Sequence, residues 1–323
     1  MPRIRITHQY TRSEANAKYT ELVHNYRYKP SPIIRYRNRE ADTALTIGCE
    51  VECEYKPSEY SIEAIASAAQ CVTDIADGRV YLKRDGSVST GFEIVSHPAT
   101  LAYHMYDTHW TGILNKCAKH GMRSHDAKTW GGSCGLHVHV GRAGLGRTTE
   151  EREITIRKVK LLVNRHWNEM VKFSRRSASQ LDDWASREIS ERILEHFASA
   201  NDAELERELN YYVDTTNTHN ERYIAVNCEN SATIEFRLFN GTLKRDTLIA
   251  TMQLCNSICK YAMTHTIREC LESSFLAVAL YERYNELETY LIARGLADAS
   301  CTGRVQNTQR NCSHGGADGV DGE

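Results

Sequence analysis

Three short segments of the chain, residues 47–54, 136–140 and 234–238, alternate functional and apolar side chains at a two-residue period. Successive side chains of a β-strand point to opposite faces of a sheet, so each segment presents one polar face and one apolar face. The pattern therefore predicts a sheet with one face buried against a core and the other lined by functional groups.

Each segment places two functional side chains on the polar face, two residues apart. These pairs are Glu50 with Glu52, His137 with His139, and Glu235 with Arg237. Two carboxylates about 6.6 Å apart, at about 3.3 Å per residue, repel each other unless a cation lies between them. Carboxylate oxygens bind Mg²⁺, which usually keeps waters and substrate phosphates as further ligands. The set favours a site for divalent cations and phosphate, although the solvent-facing side of an ordinary antiparallel strand would give the same pattern.

Two further acidic residues and one serine motif are also candidates for functional groups. Glu93 lies between two apolar residues, so alternation places it on the polar face. Asp85 opens a hairpin-type turn, where aspartate more often forms the turn than binds a ligand. Residues 131–135 match the G-x-S-x-G pattern of a nucleophile elbow, but a loop precedes them and a strand follows. We therefore expect no serine or cysteine nucleophile there.

Composition narrows the class of protein. The 323 residues carry a net charge of −2 and are 25% charged, which indicates no general affinity for nucleic acid or membranes. The chain has no run of about 18 apolar residues and begins without the apolar region of a secretory signal. The 11 scattered cysteines form no C-x-x-C pair and favour reduced thiols. We therefore expect a cytoplasmic protein without a membrane partner and, since no Walker loop occurs, any ATP would bind through another motif.

The remaining periodicities predict an α+β fold, a mainly antiparallel sheet with helices on one face. Helices are expected at about 61–76, 101–120, 148–175, within 182–213, 245–269 and 274–294, and further strands at 79–83, 91–96 and 222–227. The expected divisions are a partly irregular Arg/Tyr-rich arm at 1–43, a catalytic domain at 44–296 with a helical insert at about 149–220, and a disordered tail at 297–323. Interleaved aromatic and basic residues could bind single-stranded nucleic acid, but a basic face is absent, so we favour an arm that packs on the domain.

Five short motifs occur in the order found in the amidoligase family, which the chain resembles over about 45–245. They are G-x-E-x-E at 48–52, D-G-S at 85–87, E-I-V-S-x-P at 93–98, G-L-H-V-H-V at 135–140 and E-F-R-x-F-N-G-T at 235–242. That family belongs with glutamine synthetase and glutamate–cysteine ligase among the carboxylate–amine ligases. The resemblance implies a curved antiparallel sheet, similar to the catalytic domain of glutamine synthetase, whose concave face holds ATP and two or three Mg²⁺ or Mn²⁺ ions.

The resemblance also implies which residues bind the metal ions. By analogy, Glu52 and Glu93 would share one ion. Glu50, Glu235 and one of the two histidines would share another. We assign His137 to the metal and the remaining histidine, His139, to the nucleotide, although the sequence leaves these two roles exchangeable.

The implied reaction is ATP-dependent formation of an amide bond through an acyl phosphate, with release of ADP and phosphate. Arg237 would steady the γ-phosphate and the acyl phosphate, and Arg222 is a second phosphate candidate. Glu235 and Arg237 form the predicted catalytic pair. The sequence does not fix the acid, the amine (an amino acid, a peptide or a protein side chain) or the oligomeric state.

Two other functions compete with this one. A metal-dependent hydrolase could use the same glutamates and histidines, and would bind divalent metal while ignoring nucleotide. A non-catalytic protein could bind nucleic acid through its arm, in which case Glu52→Gln would leave its activity unchanged. The five motifs in order argue against the non-catalytic alternative.

Overall fold

The computed structural model describes residues 10–37, 44–125, 134–213, 215 and 223–299. Its strands are β1 (Val23–His24), β2 (Thr46–Glu54), β3 (Val80–Lys83), β4 (Gly91–Ser96), β5 (Ala99–Thr100), β6 (Gly135–Gly141), β7 (Val226–Asn227) and β8 (Thr233–Asn240). Its α-helices are α1 (Arg12–Leu22), α2 (Ile62–Ala76), α3 (Leu101–Tyr106), α4 (Trp110–Lys119), α5 (Thr149–Arg165), α6 (Trp167–Ser174), α7 (Ala178–Trp184), α8 (Glu191–Ser199), α9 (Asp202–Tyr212), α10 (Arg245–Thr264), α11 (Ile267–Glu272), α12 (Phe275–Ala279) and α13 (Asn285–Ala293).

The strands form one sheet in the order β1-β3-β4-β2-β6-β8-β7, and β5 pairs with the start of β2. The β1–β3 pair is parallel and the other described pairs are antiparallel. The three alternating segments become β2, β6 and β8, which lie side by side. The predicted α+β fold with a mainly antiparallel sheet is therefore confirmed.

The apolar face of these strands is buried beneath helices. Val51, Val138 and Phe236 are fully buried and join one core cluster with apolar residues of α2, α5 and α10. Burying a side chain of this size stabilises the fold by about 1.5–3 kcal/mol. A slip of one residue in strand pairing would turn these apolar side chains to the polar face of the sheet. The alternation therefore determines which face the helices cover.

Side-chain caps mark the starts of several helices, among them α2 and α5. The Ser61 hydroxyl accepts a hydrogen bond from the backbone N–H of Ala64 at the start of α2. Thr148 and Glu151 form a reciprocal capping box at the start of α5. Both caps satisfy backbone donors that lack a partner within the first turn of a helix, and both are readable from sequence.

The long helices predicted from periodicity are interrupted, in three cases at a histidine. His109 adopts a left-handed conformation (φ 62°) between α3 and α4. His166 ends α5 and precedes α6, and His265 is extended at the end of α10. The predicted 274–294 helix divides into α12 and α13. Apolar periodicity continues across these breaks because the segments on both sides pack on the same core, so the single-helix predictions were wrong there.

The described part of the N-terminal arm contains one helix and one short strand. α1 begins with a capping box formed by Thr11 and Glu14, and β1 joins the sheet beside β3. The Tyr19 hydroxyl donates a hydrogen bond to the Gly91 carbonyl (3.2 Å), and α1 packs against α2. The arm packs on the domain, and its regular part lies at 12–24, where the T-x-x-E pattern was the overlooked signal.

The division into arm, catalytic domain with insert, and tail stays a prediction. The last 24 residues of the predicted tail, 300–323, lie outside the described residues. Within the described part of the chain, none of the helices combines the length and apolar character that crossing a membrane requires.

Candidate active site

Strand register brings the predicted polar residues together. Glu52 of β2 lies opposite Glu93 of β4, while Glu50 lies opposite His137 of β6. On its other side β6 pairs with β8, which carries Glu235. Residues opposite each other on antiparallel strands have Cβ atoms about 4.5–5.5 Å apart. The polar side chains therefore converge on the floor of one cleft of about 880 Å³.

These acidic side chains are almost as buried as the core. The relative exposure is 5% for Glu52, 2% for Glu93 and 8% for Glu235. Glutamate is almost never buried to this degree unless it is paired or binds a metal. The cleft floor is thus unlike the solvent-facing side of an ordinary antiparallel strand, which was the alternative explanation of the pattern.

The first ligand group consists of Glu50, His137 and Glu235, whose potential ligand atoms all lie within 4.8 Å of one another. His137 Nδ1 lies 3.2 Å from Glu235 Oε1 and 3.6 Å from Glu50 Oε2. His139 lies beside this group, with its Nε2 3.6 Å from Glu50 Oε1. His137 lies close to the carboxylates of Glu50, Glu52 and Glu235, whereas the ion-pair contact found for His139 is with Glu50. The metal-binding role of His137 stays a prediction.

The second ligand group consists of Glu52, Asp85 and Glu93, again within 4.8 Å. Asp85 Oδ1 accepts a hydrogen bond from the backbone N–H of Ser87 (2.7 Å), as expected of a turn-forming aspartate. Its carboxylate nevertheless lines the cleft. The D-G-S turn thus shapes the loop and also places a third carboxylate beside those of Glu52 and Glu93.

Lys83 lies between the two ligand groups. Its Nζ is 3.3 Å from Glu93 Oε2 and 3.8 Å from Glu50 Oε1. Burial, followed by the charge of Glu50, nevertheless raises the pKa of Glu93 to about 9. One lysine therefore does not neutralise the buried carboxylates around it.

Burial alone would raise the pKa of Glu50, but the polar contacts with the imidazoles of His137 and His139 outweigh it and hold that pKa well below its usual range. For Glu52, burial prevails and raises the pKa. Carboxylate oxygens with one imidazole, crowded together with excess negative charge, fit hard divalent cations such as Mg²⁺ or Mn²⁺.

The basic side of the cleft is built around Arg237 on β8. Its Nη1 donates a hydrogen bond to Glu235 Oε1 (2.5 Å), and the other oxygen of Glu235 accepts one from Asn227 Nδ2 (3.1 Å). Arg176 also lines the cleft, and burial lowers its pKa to about 10. Arg222, the other predicted phosphate residue, lies outside the described residues.

Sequence reasoning missed several residues that line the cleft. They include Tyr26, Arg27, Lys83, Arg176 and Asn227. The sequence does contain a signal for Lys83, because it follows the buried Leu82 along β3 and so points to the opposite, polar face of the sheet. Arg176 had none, because its position depends on how a turn between two helices meets the sheet.

Comparison with known proteins identifies a family and shows similarity to solved structures. The family described as "putative amidoligase enzyme" matches residues 31–259, more than half of the chain. No curated protein sequence matches the chain. A structural similarity is found to the complex between the prokaryotic ubiquitin-like protein Pup and its ligase PafA, at 9% sequence identity and a TM-score of 0.35. The alignment covers 78% of this chain and 62% of the length of the matched chain.

Proposed function

This chain belongs to the amidoligase family, and from that premise we propose that it is an ATP-dependent carboxylate–amine ligase. It would join an acid to an amine through an acyl phosphate, with ADP and phosphate as the other products. The observation that carries the proposal is the presence of two buried ligand groups on one cleft floor, with Arg237 beside them.

The two ligand groups would hold Mg²⁺ or Mn²⁺. Glu50, His137 and Glu235 would bind one ion, and Glu52, Asp85 and Glu93 would bind another. Bound there, the ions would neutralise the phosphates of ATP and the charge that develops on the transferred phosphoryl group. Two neighbouring groups of donors support two cations better than one, because each group already offers three ligand atoms.

The protein's own side chains would position the phosphoryl group. The planar guanidinium of Arg237 suits phosphate oxygens, and its hydrogen bond to Glu235 fixes its orientation. Burial would lower the pKa of His139, but the neighbouring carboxylates of Glu50 (3.6 Å from Nε2) and Glu235 outweigh burial and raise it. A positively charged imidazole at this place would suit a nucleotide phosphate.

The proposed reaction has two steps. An oxygen of the substrate carboxylate bonds to the γ-phosphorus of ATP as the bond to the bridging oxygen breaks, and ADP leaves. The amine nitrogen then bonds to the acyl carbon, the bond from that carbon to the phosphate oxygen breaks, and the nitrogen's proton leaves with phosphate. The protein contributes orientation and charge stabilisation in both steps. The acid and the amine could each be an amino acid, a peptide or a protein side chain.

Calorimetric titration with ATP, with and without Mg²⁺, tests this proposal before the substrates are known. We expect wild-type protein to bind ATP in a Mg²⁺-dependent way and Glu52→Gln to lose that binding, because the variant removes a carboxylate from the second ligand group. Glu153→Gln, an exposed change on α5, is the matched control and should bind as the wild type does.

The nucleotide product gives a second criterion. Turnover with a mixture of candidate acids and amines should release ADP, since the phosphoryl group alone is transferred. Release of AMP, or folded wild-type protein that binds no nucleotide, would contradict the proposal.

A divalent-metal-dependent hydrolase is the second candidate. Two adjacent ligand groups could activate water between two ions without any nucleotide, which is the observation that favours it. That function predicts Mn²⁺ binding that ATP leaves unchanged, whereas the ligase predicts that the two ligands bind cooperatively.

A further inference from the structure

Arg176 is a buried cation that the five sequence motifs do not include. It follows the turn at the end of α6 and lines the cleft, with a relative exposure of 9%. Its guanidinium donates one hydrogen bond, from Nη2 to the Phe239 carbonyl (3.3 Å), and its Nε has no partner among the described residues. A guanidinium carries five N–H donors, so the hydrogen bonds that Arg176 makes with the described residues leave donors that a ligand could use.

The turn before Arg176 is held in an unusual conformation. Arg175 has a positive φ of 67°, which is rare for a residue other than glycine and costs free energy unless its surroundings enforce it. Asn240 enforces it from β8: its Nδ2 donates to the Arg175 carbonyl (2.5 Å), and Arg175 Nη2 donates to the Asn240 carbonyl (2.5 Å). The Ser174 hydroxyl accepts a hydrogen bond from the backbone N–H of Arg176 (3.1 Å).

Gly135 leaves space for the same side chain. A Cβ atom at this position would lie 2.9 Å from Arg176 Nη2 and 3.0 Å from His137 Nε2, closer than such contacts normally occur. Asn240 thus holds the turn that carries Arg176, and Gly135 leaves room for its guanidinium. This arrangement indicates that the position of Arg176 is specified rather than incidental.

Arg176 and Arg237 both line the cleft, and each has an Nε without a partner among the described residues. Burial lowers the pKa of Arg176, the carboxylate of Glu52 partly offsets this, and the positive charge of Arg237 lowers the pKa further. Arg237 is paired with Glu235, whereas Arg176 has no ion pair within the described part of the chain. Two neighbouring buried guanidinium groups with unused donors are costly unless an anion binds to both.

We propose that Arg176 and Arg237 together form the binding site for the transferred phosphoryl group and for the inorganic phosphate that it becomes. The inference rests on the ligase function proposed above and adds a residue from the helical insert to the phosphoryl site. Arg176 would contact the oxygens of the phosphoryl group directly, and Asn240 would act as a positioning residue through Arg175. Two guanidinium forks match the several oxygens of a tetrahedral anion.

Calorimetric titration of inorganic phosphate into full-length protein, alone and saturated with Mg²⁺ and ADP, tests the inference. We expect Arg176→Gln to weaken phosphate binding by about 10–100-fold, the range for a lost charged hydrogen bond. Binding of Mg²⁺ and ADP should change by less than about threefold, because the phosphoryl group to be transferred is absent from ADP. Arg176→Lys should give an intermediate loss, since it keeps the charge without the fork.

Arg245→Gln is the matched control, because Arg245 is a partly buried arginine at the start of α10 that donates to the Met105 carbonyl. It should bind phosphate as wild type does. Folded Arg176→Gln that keeps wild-type phosphate affinity would overturn the inference, as would wild-type protein that binds no phosphate in either state. If Arg176→Gln does not fold, unchanged affinity in Arg176→Lys would overturn it.

The same titrations separate this inference from the ligase function. Phosphate binding that depends on Arg176 supports the two-arginine site, whether or not ADP binds. Failure of the wild type to bind Mg²⁺ and ADP would contradict the ligase function.

Discussion

The two faces of the central strands are both buried, yet they differ in what burial achieves. On β8, Phe236 is fully buried on the helix side, and its neighbour Arg237 is 8% exposed on the cleft side. Burial of the ring stabilises the fold, whereas burial of the charge costs free energy that Glu235 offsets in part. One face of this sheet therefore supplies stability, and the other holds charged groups at a cost to stability.

Replacing Phe236 with alanine should produce the largest effect on stability. The change removes a fully buried ring from the core cluster and should lower the free energy of unfolding by about 3–5 kcal/mol. Urea unfolding followed by circular dichroism would measure it. If the alanine variant does not fold, Phe236→Leu should still lower the midpoint measurably; an unchanged midpoint would show that this face is not the main source of stability.

Replacing the adjacent Arg237 with lysine should affect activity instead. Loss of the guanidinium fork should lower kcat by about 10²–10³-fold, the range for losing one group that stabilises a transition state. The free energy of unfolding should change by less than about 1 kcal/mol, since removing a constrained buried fork also relieves a cost. Measurement of both quantities on one preparation checks the contrast, and a large loss of stability without loss of activity would reverse the roles of the two faces.

Glu93→Gln should stabilise the metal-free protein. Because the pKa of Glu93 is raised to about 9 in the folded state from 4.5, its contribution to stability falls as pH rises from about 4.5 to 9. Glutamine does not ionise, so in EDTA at pH 7 the variant should be more stable by about 1–3 kcal/mol.

Excess Mn²⁺ should reverse this order, because the wild type gains binding energy that the variant loses in part. Urea midpoints with EDTA and with Mn²⁺ would show the reversal, with Glu153→Gln as the control. Equal midpoints for Glu93→Gln and wild type in both conditions would mean that Glu93 bears no charge cost and binds no metal.

Two histidines on opposite sides of the sheet have pKa values shifted in opposite directions. His104 packs on the apolar side of β2, where its Nε2 lies 2.8 Å from the Ile47 carbonyl. Burial lowers its pKa to about 4, opposite to the direction of the shift for His139 on the cleft side. In the unfolded state His104 binds a proton below about pH 6.5, whereas in the folded state it stays neutral down to about pH 4. The free energy of unfolding therefore falls as pH drops from about 6.5 toward 4.

Between pH 7 and 5, His104 should account for about 1–2 kcal/mol of this loss. His104→Gln removes the titration and should reduce the pH dependence of urea unfolding by that amount. A variant with the same pH dependence as wild type would show that His104 titrates equally in both states.

The sequence by itself determined the local features. Alternation in β2, β6 and β8 identified the polar face and its residues, and the capping residues marked the starts of α2 and α5. These features follow from interactions between residues near each other in the chain, so a single sequence contains them. The structure then brings Glu50, His137 and Glu235 together as expected.

Tertiary structure decided what depends on distant contacts. Whether Asp85 only forms a turn or also reaches the second ligand group is decided by where its loop meets β2. The breaks at His109, His166 and His265 and the placement of Arg176 by Asn240 likewise depend on elements far apart in the chain. Periodicity records which face of a segment is buried but not where the chain turns or what it meets, because those are set by packing between elements.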